Sequence, residues 1–95
     1  MPKLGSTIRI ENTVRDFSGN LVDPDVDSQE VKIYDTQGQL KATITDAEIS
    51  QESLGKFYID YIIESSPDGY WKAVWKVKVN DKPDVETVKF IVEVA

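Results

Sequence analysis

The segment from Gly69 to Val79 constrains the fold of this chain more than any other. Its large apolar residues all fall on alternate positions: Trp71, Ala73, Trp75, Val77 and Val79. Three lysines fall between them: Lys72, Lys76 and Lys78. Because successive side chains of a β-strand point to opposite sides of the sheet, this segment predicts a strand with one face in an apolar core and one in water. Such strands are typical of an antiparallel β-sandwich.

Seven segments with strand character follow one another at short, even spacing, which favours a sandwich or barrel. They are residues 6–15, 30–35, 40–45, a short stretch within 46–53, 55–63, 70–80 and 85–94. The fourth is the least clear, because Asp46 is also a good N-cap for a one-turn helix. We favour a short edge strand there. Ninety-five residues make a single domain, 1–95, in which 1–5 is expected to be a flexible tail.

The alternation of side chains along a strand also predicts which residues of the other strands face inward. The residues predicted to face inward are Ile8, Ile10, Val14, Val31, Ile33, Leu40, Ala42, Ile44, Phe57, Ile59, Tyr61, Ile63, Val88, Phe90, Val92 and Val94. Asn12 interrupts the apolar face of the first strand, which indicates a bulge or a change of sheet. Trp71 and Trp75 lie about 13 Å apart on one face. They could form a sugar-stacking platform, but we favour the core because they share parity with valines.

The composition argues against several classes of function. The chain has no cysteine and no histidine, and therefore lacks thiolate ligands, the usual zinc ligand and the commonest general base. A net charge of −6 argues against binding to nucleic acid or to an anionic membrane. With no glycine-rich phosphate loop either, we predict no enzymatic activity and no cofactor. No apolar run is long enough to span a bilayer, and residues 1–6 do not resemble a secretion signal, so the expected location at synthesis is the cytoplasm.

One loop region is rich in oxygen ligands that suit calcium: Asp16, Asn20, Asp23, Asp25 and Asp27. Their spacing does not match a helix-loop-helix calcium site. Asp and Asn also occur in turns, where their side chains hydrogen-bond nearby backbone groups. We favour turn formation and predict no metal site.

The order of several motifs resembles immunoglobulin-like β-sandwich modules of phage and prophage structural proteins and of bacterial surface proteins. The segments similar to that group's S-T-G-x-Y-Y, G-x-W-x-x-x-W and F-x-V motifs are residues 53–58, 68–75 and 90–92. Those similar to its D-x-x-G-x-x-V-D-P loop and V-x-I-x-D-x-x-G hairpin are residues 15–24 and 31–38. The likeness covers about residues 8–94. Unlike a vertebrate immunoglobulin domain, the chain has no paired cysteines.

The resemblance implies an immunoglobulin-like sandwich of about seven strands that decorates, links or adheres. The expected function is that of a phage or prophage virion accessory protein, incorporated into a virion through protein partners. The alternative is a carbohydrate-binding or cell-surface adhesion module. Exposed aromatic, aliphatic and basic side chains are predicted to form the partner-binding face, because aromatic residues are enriched at binding hot spots. These residues are Tyr58, Tyr70, Lys72, Val74 and Lys76.

Overall fold

The computed structural model describes residues 5–63 and 69–92, which contain seven strands and one short 3-10 helix. The strands are β1 (Thr7–Thr13), β2 (Glu30–Tyr34), β3 (Leu40–Thr45), β4 (Ser50–Ser53), β5 (Lys56–Ile62), β6 (Gly69–Val79) and β7 (Lys82–Val92). They form a three-stranded sheet in the order β1-β5-β4 and a four-stranded sheet in the order β3-β2-β6-β7. All pairings are antiparallel, which confirms the predicted all-β sandwich.

The core consists of the apolar side chains on the inner faces of the two sheets. Alternation along β6 is complete: every residue predicted to face inward is buried, and Trp71 and Trp75 are each only 1% exposed. The two indoles therefore belong to the core, and the sugar-stacking alternative for this pair is wrong. Their burial supplies a large share of the hydrophobic stabilisation, because each tryptophan removes a large apolar area from water.

One inward assignment is wrong in the β2–β3 hairpin. Leu40 is 51% exposed, whereas Ala42 and Ile44 pack against the core as predicted. The register shifts between Ile33 and Tyr34, so that Tyr34, on the outer face of β2, pairs with Leu40. This bulge takes Leu40 out of step with the rest of its strand. Val94 lies outside the described residues.

Two local predictions near the edges of the three-stranded sheet need correction. The β1–β5 register runs without a break through Asn12, which pairs with Phe57, so the predicted bulge or change of sheet is wrong. Segment 46–53 contains both of the structures that were weighed for it, a 3-10 helix at Asp46–Glu48 and then strand β4. The N-cap position is Thr45 rather than Asp46, and it makes no side-chain capping bond.

The β6–β7 hairpin is longer and its turn tighter than predicted. Val79 and Lys82 are the last cross-strand partners before the turn, so the turn consists of Asn80 and Asp81 alone. Both have positive φ, 52° and 64°, as a type I′ turn requires. Strand β7 therefore begins at Lys82 rather than 85, and it tolerates Pro83 because it is an edge strand.

In the part of the chain that the structure describes, no helix has the length and apolar character needed to cross a membrane.

Candidate functional site

The outer face of the four-stranded sheet is strongly basic, and we call it the lysine face. Its lysines alternate with residues that are buried or packed against the core on all four strands. They are Lys32, Lys41, Lys72, Lys76, Lys78 and Lys89. These six are more than half of the protein's 11 Lys and Arg residues, although the protein carries a net charge of −6.

Most of this positive charge is not neutralised within the described residues. Lys32 lies 3.7 Å from a Glu30 carboxylate oxygen, and Lys41 lies 3.5 Å from one of Asp35. The lysines on β6 and β7 make no ion pair with any described residue. Lys72 and Lys89 are direct cross-strand partners, and like charges in that position repel each other.

The predicted partner-binding residues do not all lie on one face. Tyr70, Lys72, Val74 and Lys76 share the outer face of β6, as predicted. Tyr58 lies on the outer face of β5, in the other sheet. The predicted common face is therefore wrong for Tyr58, because strand parity distinguishes inner from outer residues but does not say to which sheet a strand belongs.

On the outer face of the three-stranded sheet, one arginine and one aspartate of opposite charge are joined directly. Arg9 and Asp60 are cross-strand partners joined by two hydrogen bonds, with Nε and Nη2 of the arginine donating at 2.9 and 3.2 Å. The same guanidinium lies 4.0 Å from the centre of the Tyr58 ring. Arg9 lowers the pKa of Asp60 mainly through the hydrogen bond, against a smaller opposing effect of burial. The Tyr58 ring thus contacts a residue of its own sheet, Arg9.

An open cavity of about 470 Å³ lies at one end of the lysine face, and we call it the Tyr70 cavity. The turn between β2 and β3 lines one side through Asp35, and β6 and β7 line the other through Tyr70, Lys72 and Lys89. The Tyr70 side chain is largely solvent-accessible, with 66% of the residue exposed. Lys72 also lies with its ammonium 5.4 Å from the ring centre of Tyr34. The cavity therefore combines an aromatic ring, two ammonium groups and a carboxylate.

Asp35 is the buried charged group of this cavity, with a side chain only 1% exposed. Its Oδ1 accepts hydrogen bonds from the backbone N–H groups of Gln37 and Gln39, at 2.8 and 3.0 Å. Its Oδ2 is buried without a hydrogen bond in the described structure and lies 3.5 Å from the Lys41 ammonium. Burial acts to raise the pKa of Asp35, but the two N–H donors and Lys41 outweigh it, so the pKa is lowered. The carboxylate is consequently ionised at neutral pH.

The acidic loop region uses its carboxylates to hold turns. Asp16 Oδ1 accepts the backbone N–H groups of Ser18 and Asn20, each at 2.9 Å, and this lowers the pKa of Asp16. Asp25 accepts those of Asn80 and Asp81, at 3.2 and 2.7 Å.

Asp23 Oδ1 accepts from the Gln51 side chain at 2.7 Å and from the Gly55 backbone at 3.1 Å. Residues 5–63 and 69–92 contain no group of three or more acidic, histidine or cysteine side chains arranged to hold a metal ion. Asp16 thus holds its own turn, whereas Asp23 and Asp25 tie their loop to distant backbone.

Sequence reasoning missed four features of the lysine face, which are Lys41, Lys89, the Lys32–Glu30 pair and Asp35. Lys89 alternates with apolar residues in a strand-like segment, so its exposure could have been inferred. Its position beside Lys72 follows from the β6–β7 register, which depends on the turn. Asp35 ends the predicted second strand in the same parity as the buried Val31 and Ile33, so alternation could have indicated its inward position.

No protein-family model and no curated protein matches this sequence. Among solved structures, the chain is similar to part of an endo-β-1,4-mannanase from Thermotoga petrophila, with a TM-score of 0.64 and 19% sequence identity. The similarity covers 98% of this chain and 17% of the mannanase chain. At this level of identity, the likeness shows a shared fold alone.

Proposed function

We propose that the chain is a non-catalytic interaction module that binds an acidic protein partner through the lysine face. The observation that carries this proposal is the clustering of six lysines on one sheet face of an acidic protein. A concentrated positive patch steers the approach of a negative surface and sets the orientation in which the two dock.

The apolar side chains on this face supply the short-range part of the proposed interaction. Tyr70 is exposed beside half-buried Ile91, its cross-strand partner, and Val74 is half-buried between Lys72 and Lys76. Interface energy is usually concentrated in a few such anchors, whereas exposed charges mainly affect the rate of association. Tyr70 and Val74 are therefore the proposed anchors, and the lysines provide steering.

The absence of catalysis in this proposal follows from the inventory of reactive groups. The chain has neither histidine nor cysteine, and the best-placed loop carboxylates are occupied by backbone N–H groups. General acid–base work needs a group that can exchange a proton with a substrate in a cleft. Carboxylates that hold turns serve the fold instead.

The proposed setting is a phage or prophage virion, in which the chain would act as an accessory protein in decoration or assembly. The support for this setting is the sequence resemblance of residues 8–94 to structural modules of that kind. An edge-to-edge or face-to-face contact with a larger acidic component would require no chemical site. Incorporation into the native particle is the direct measurement.

A charge-reversal pair tests the lysine face. Lys72→Glu with Lys76→Glu should reduce incorporation into the native particle or complex by at least about tenfold, because the steering charge is inverted. The matched control is Lys56→Glu with Lys82→Glu, which makes the same change in net charge at exposed positions away from the lysine face. Equal incorporation of both double variants would contradict the proposal, provided that both unfold cooperatively.

A carbohydrate-binding module is the second candidate function. The Tyr70 cavity favours it, because an exposed aromatic ring beside polar groups suits the two faces of a sugar ring. The mannanase similarity is a further reason to include β-1,4-mannan among the ligands tested. A glycan array separates the two candidates: glycan binding that Tyr70→Ala removes would support this one, and no binding to any glycan would exclude it.

A further inference from the structure

We propose that the free edge of β1 is a self-association site, at which two copies of this chain pair their β1 strands antiparallel about a two-fold axis. Strand β1 has β5 on one side and no described strand on the other. The continuous sheet formed by the two copies would have the order β4-β5-β1-β1-β5-β4. This site lies in the three-stranded sheet, so the inference goes beyond the lysine face and does not depend on it.

Strand β1 lacks the features that block further pairing at the other three sheet edges. Strand β7 carries Pro83 and places two acids, Asp84 and Glu86, opposite buried residues of β6. Strands β3 and β4 each pair with their neighbour through a shifted register. Proline, inward-pointing charges and bulges all discourage edge-to-edge pairing. By contrast, Thr7–Thr13 contains no proline and pairs with β5 in an unbroken register.

The backbone groups of β1 that point to the free edge belong to its odd-numbered residues. Before the strand begins, the Ser6 carbonyl accepts the N–H of Ile63 at 3.0 Å. After it ends, the Val14 N–H donates to the Gly55 carbonyl at 2.7 Å. Because hydrogen-bonded and non-hydrogen-bonded pairs alternate along an antiparallel ladder, the even-numbered residues between them also bond towards β5. The N–H and C=O groups directed away from β5 are those of Thr7, Arg9, Glu11 and Thr13.

The charges on β1 select one register for the two copies. Paired residues share a face of the sheet, so odd-numbered residues pair with odd-numbered ones. With Ile10 on the two-fold axis, Arg9 of each copy lies opposite Glu11 of the other, and both pairs are favourable. Thr7 then lies opposite Thr13, which is also a favourable pair. A slip of two residues in either direction places two arginines or two glutamates opposite each other, where they repel.

The two charged side chains of this pairing are available to a second copy. Glu11 is exposed and makes no ion pair with any described residue. Arg9 donates to Asp60 through Nε and Nη2, and its Nη1 makes no hydrogen bond in the described part of the chain. The guanidinium is already held by Asp60 and by the Tyr58 ring, so little side-chain freedom is lost when it also binds Glu11 of the second copy.

The pairing of two β1 strands leaves both lysine faces uncovered, because β1 and the lysine face belong to different sheets. A dimer would therefore present two copies of the lysine face to a partner with repeated acidic sites. Two linked contacts bind such a partner more tightly than one contact does.

Sedimentation velocity of the intact chain, from about 10 µM to about 1 mM, measures the association. Two seven-residue edges bury a small area, so the chain should be monomeric at the low concentration and largely dimeric at the high one. Glu11→Arg should weaken dimerisation at least about tenfold, because it places two arginines opposite each other. The matched control is Glu52→Arg, the same charge change on exposed β4 at the other edge of this sheet, which should leave dimerisation unchanged.

A pair of complementary variants tests the register. Arg9→Glu gives the edge two acids, whereas Glu11→Arg gives it two arginines, and each variant alone should be monomeric. An equimolar mixture should form heterodimers, because opposite charges again face each other at both positions. Thermal melts establish that both variants unfold cooperatively. Absence of heterodimers from a mixture of two folded variants would overturn the proposed register.

Hydrogen exchange of the unmodified chain identifies the edge without any substitution. The amide protons of Arg9 and Glu11 should be protected at the high concentration alone, whereas those of Ile8 and Ile10 should be protected at both concentrations. A wild-type chain that is monomeric at about 1 mM would refute the self-association site. Equal dimerisation of Glu11→Arg and the wild type, or an equal loss in Glu52→Arg, would refute the assignment to β1.

Discussion

The indole N–H of Trp75 donates a hydrogen bond to Oε1 of Gln29 at 3.2 Å, and both side chains are buried. Gln29 immediately precedes β2, and Trp75 pairs with Val31 across the β2–β6 interface. The bond lets the Trp75 side chain bury its one polar atom without leaving a donor unpaired. It also ties the end of the long β1–β2 connection to the central strand.

Replacing either partner of this bond should produce coupled losses of stability. Gln29→Leu leaves the indole N–H buried and unpaired, and should cost about 1–3 kcal/mol. The same substitution in a Trp75→Phe background should cost much less, because phenylalanine has no N–H to satisfy. A double-mutant cycle by denaturant unfolding measures the difference. Additive losses would show that the hydrogen bond contributes nothing beyond packing.

The Asp25 carboxylate is expected to stabilise the β6–β7 turn. Asp25→Ala removes acceptors from the backbone N–H groups of Asn80 and Asp81, and should lower the free energy of unfolding by about 1–2 kcal/mol. Asp84→Ala, an exposed change close to the same turn, is the control and should stay within about 0.5 kcal/mol. Asp81→Gly should raise stability, since glycine adopts positive φ without strain. Indistinguishable unfolding of the two alanine variants would refute the turn assignment.

Gly55 should be intolerant of any side chain. Its φ is 71°, and a Cβ at this position would lie 2.8 Å from the Val14 carbonyl oxygen. That carbonyl accepts the Val22 N–H, and the Val14 N–H donates to the Gly55 carbonyl, so the backbone cannot easily move away. Gly55→Ala should therefore cost more than about 2 kcal/mol.

The control for the Gly55 variant is Gly19→Ala. Gly19 has a similar φ of 88°, but a Cβ there would meet nothing within 4 Å. Gly19→Ala should therefore cost only the free energy of placing a residue with a Cβ at positive φ, about 1–2 kcal/mol. The difference between the two variants in denaturant unfolding isolates the steric clash. Equal costs would mean that the close approach to Val14 is relieved by a small backbone shift.

Stability should fall on acidification below about pH 4 and change little from about pH 5 to pH 8. Asp16, Asp35 and Asp60 all have pKa values lowered from their ordinary value of 3.8. A lowered folded-state pKa means that the stabilisation is complete above the unfolded value and is lost as the pH falls through the folded one. With no histidine, the chain has no side chain that ordinarily titrates near pH 6.5.

Thermal melts across this pH range check the expectation. Asp60→Asn should reduce the decrease in melting temperature at low pH, because it removes the carboxylate that Arg9 holds ionised. Asp84→Asn, for which no described partner is present, is the comparison. A melting temperature that decreases as the pH is lowered from 8 to 6 would contradict the assignment of the pH dependence to these aspartates.

Sequence alone determined which residues of β6 are buried. Alternation of side chains between the two sides of a strand is a local geometric property, so Trp71 and Trp75 could be placed in the core before any pairing was known. The seven-stranded antiparallel sandwich followed from the same pattern and from the spacing of turns. The local turn predicted from the acidic loop is present at Asp16, whereas Asp25 bonds the backbone of a distant turn, which no local pattern predicted.

Only the tertiary structure decided which outward residues lie together. Tyr58 and Tyr70 both occupy outward-facing positions of their strands, yet these strands belong to different sheets. No local pattern encodes the sheet to which a strand belongs. The pairing of Lys72 with Lys89 follows from a two-residue turn whose positive φ values are tolerated by Asn80 and Asp81. Register and sheet membership depend on long-range hydrogen bonding and packing, so a surface built from several strands, such as the lysine face, exists only once the chain has folded.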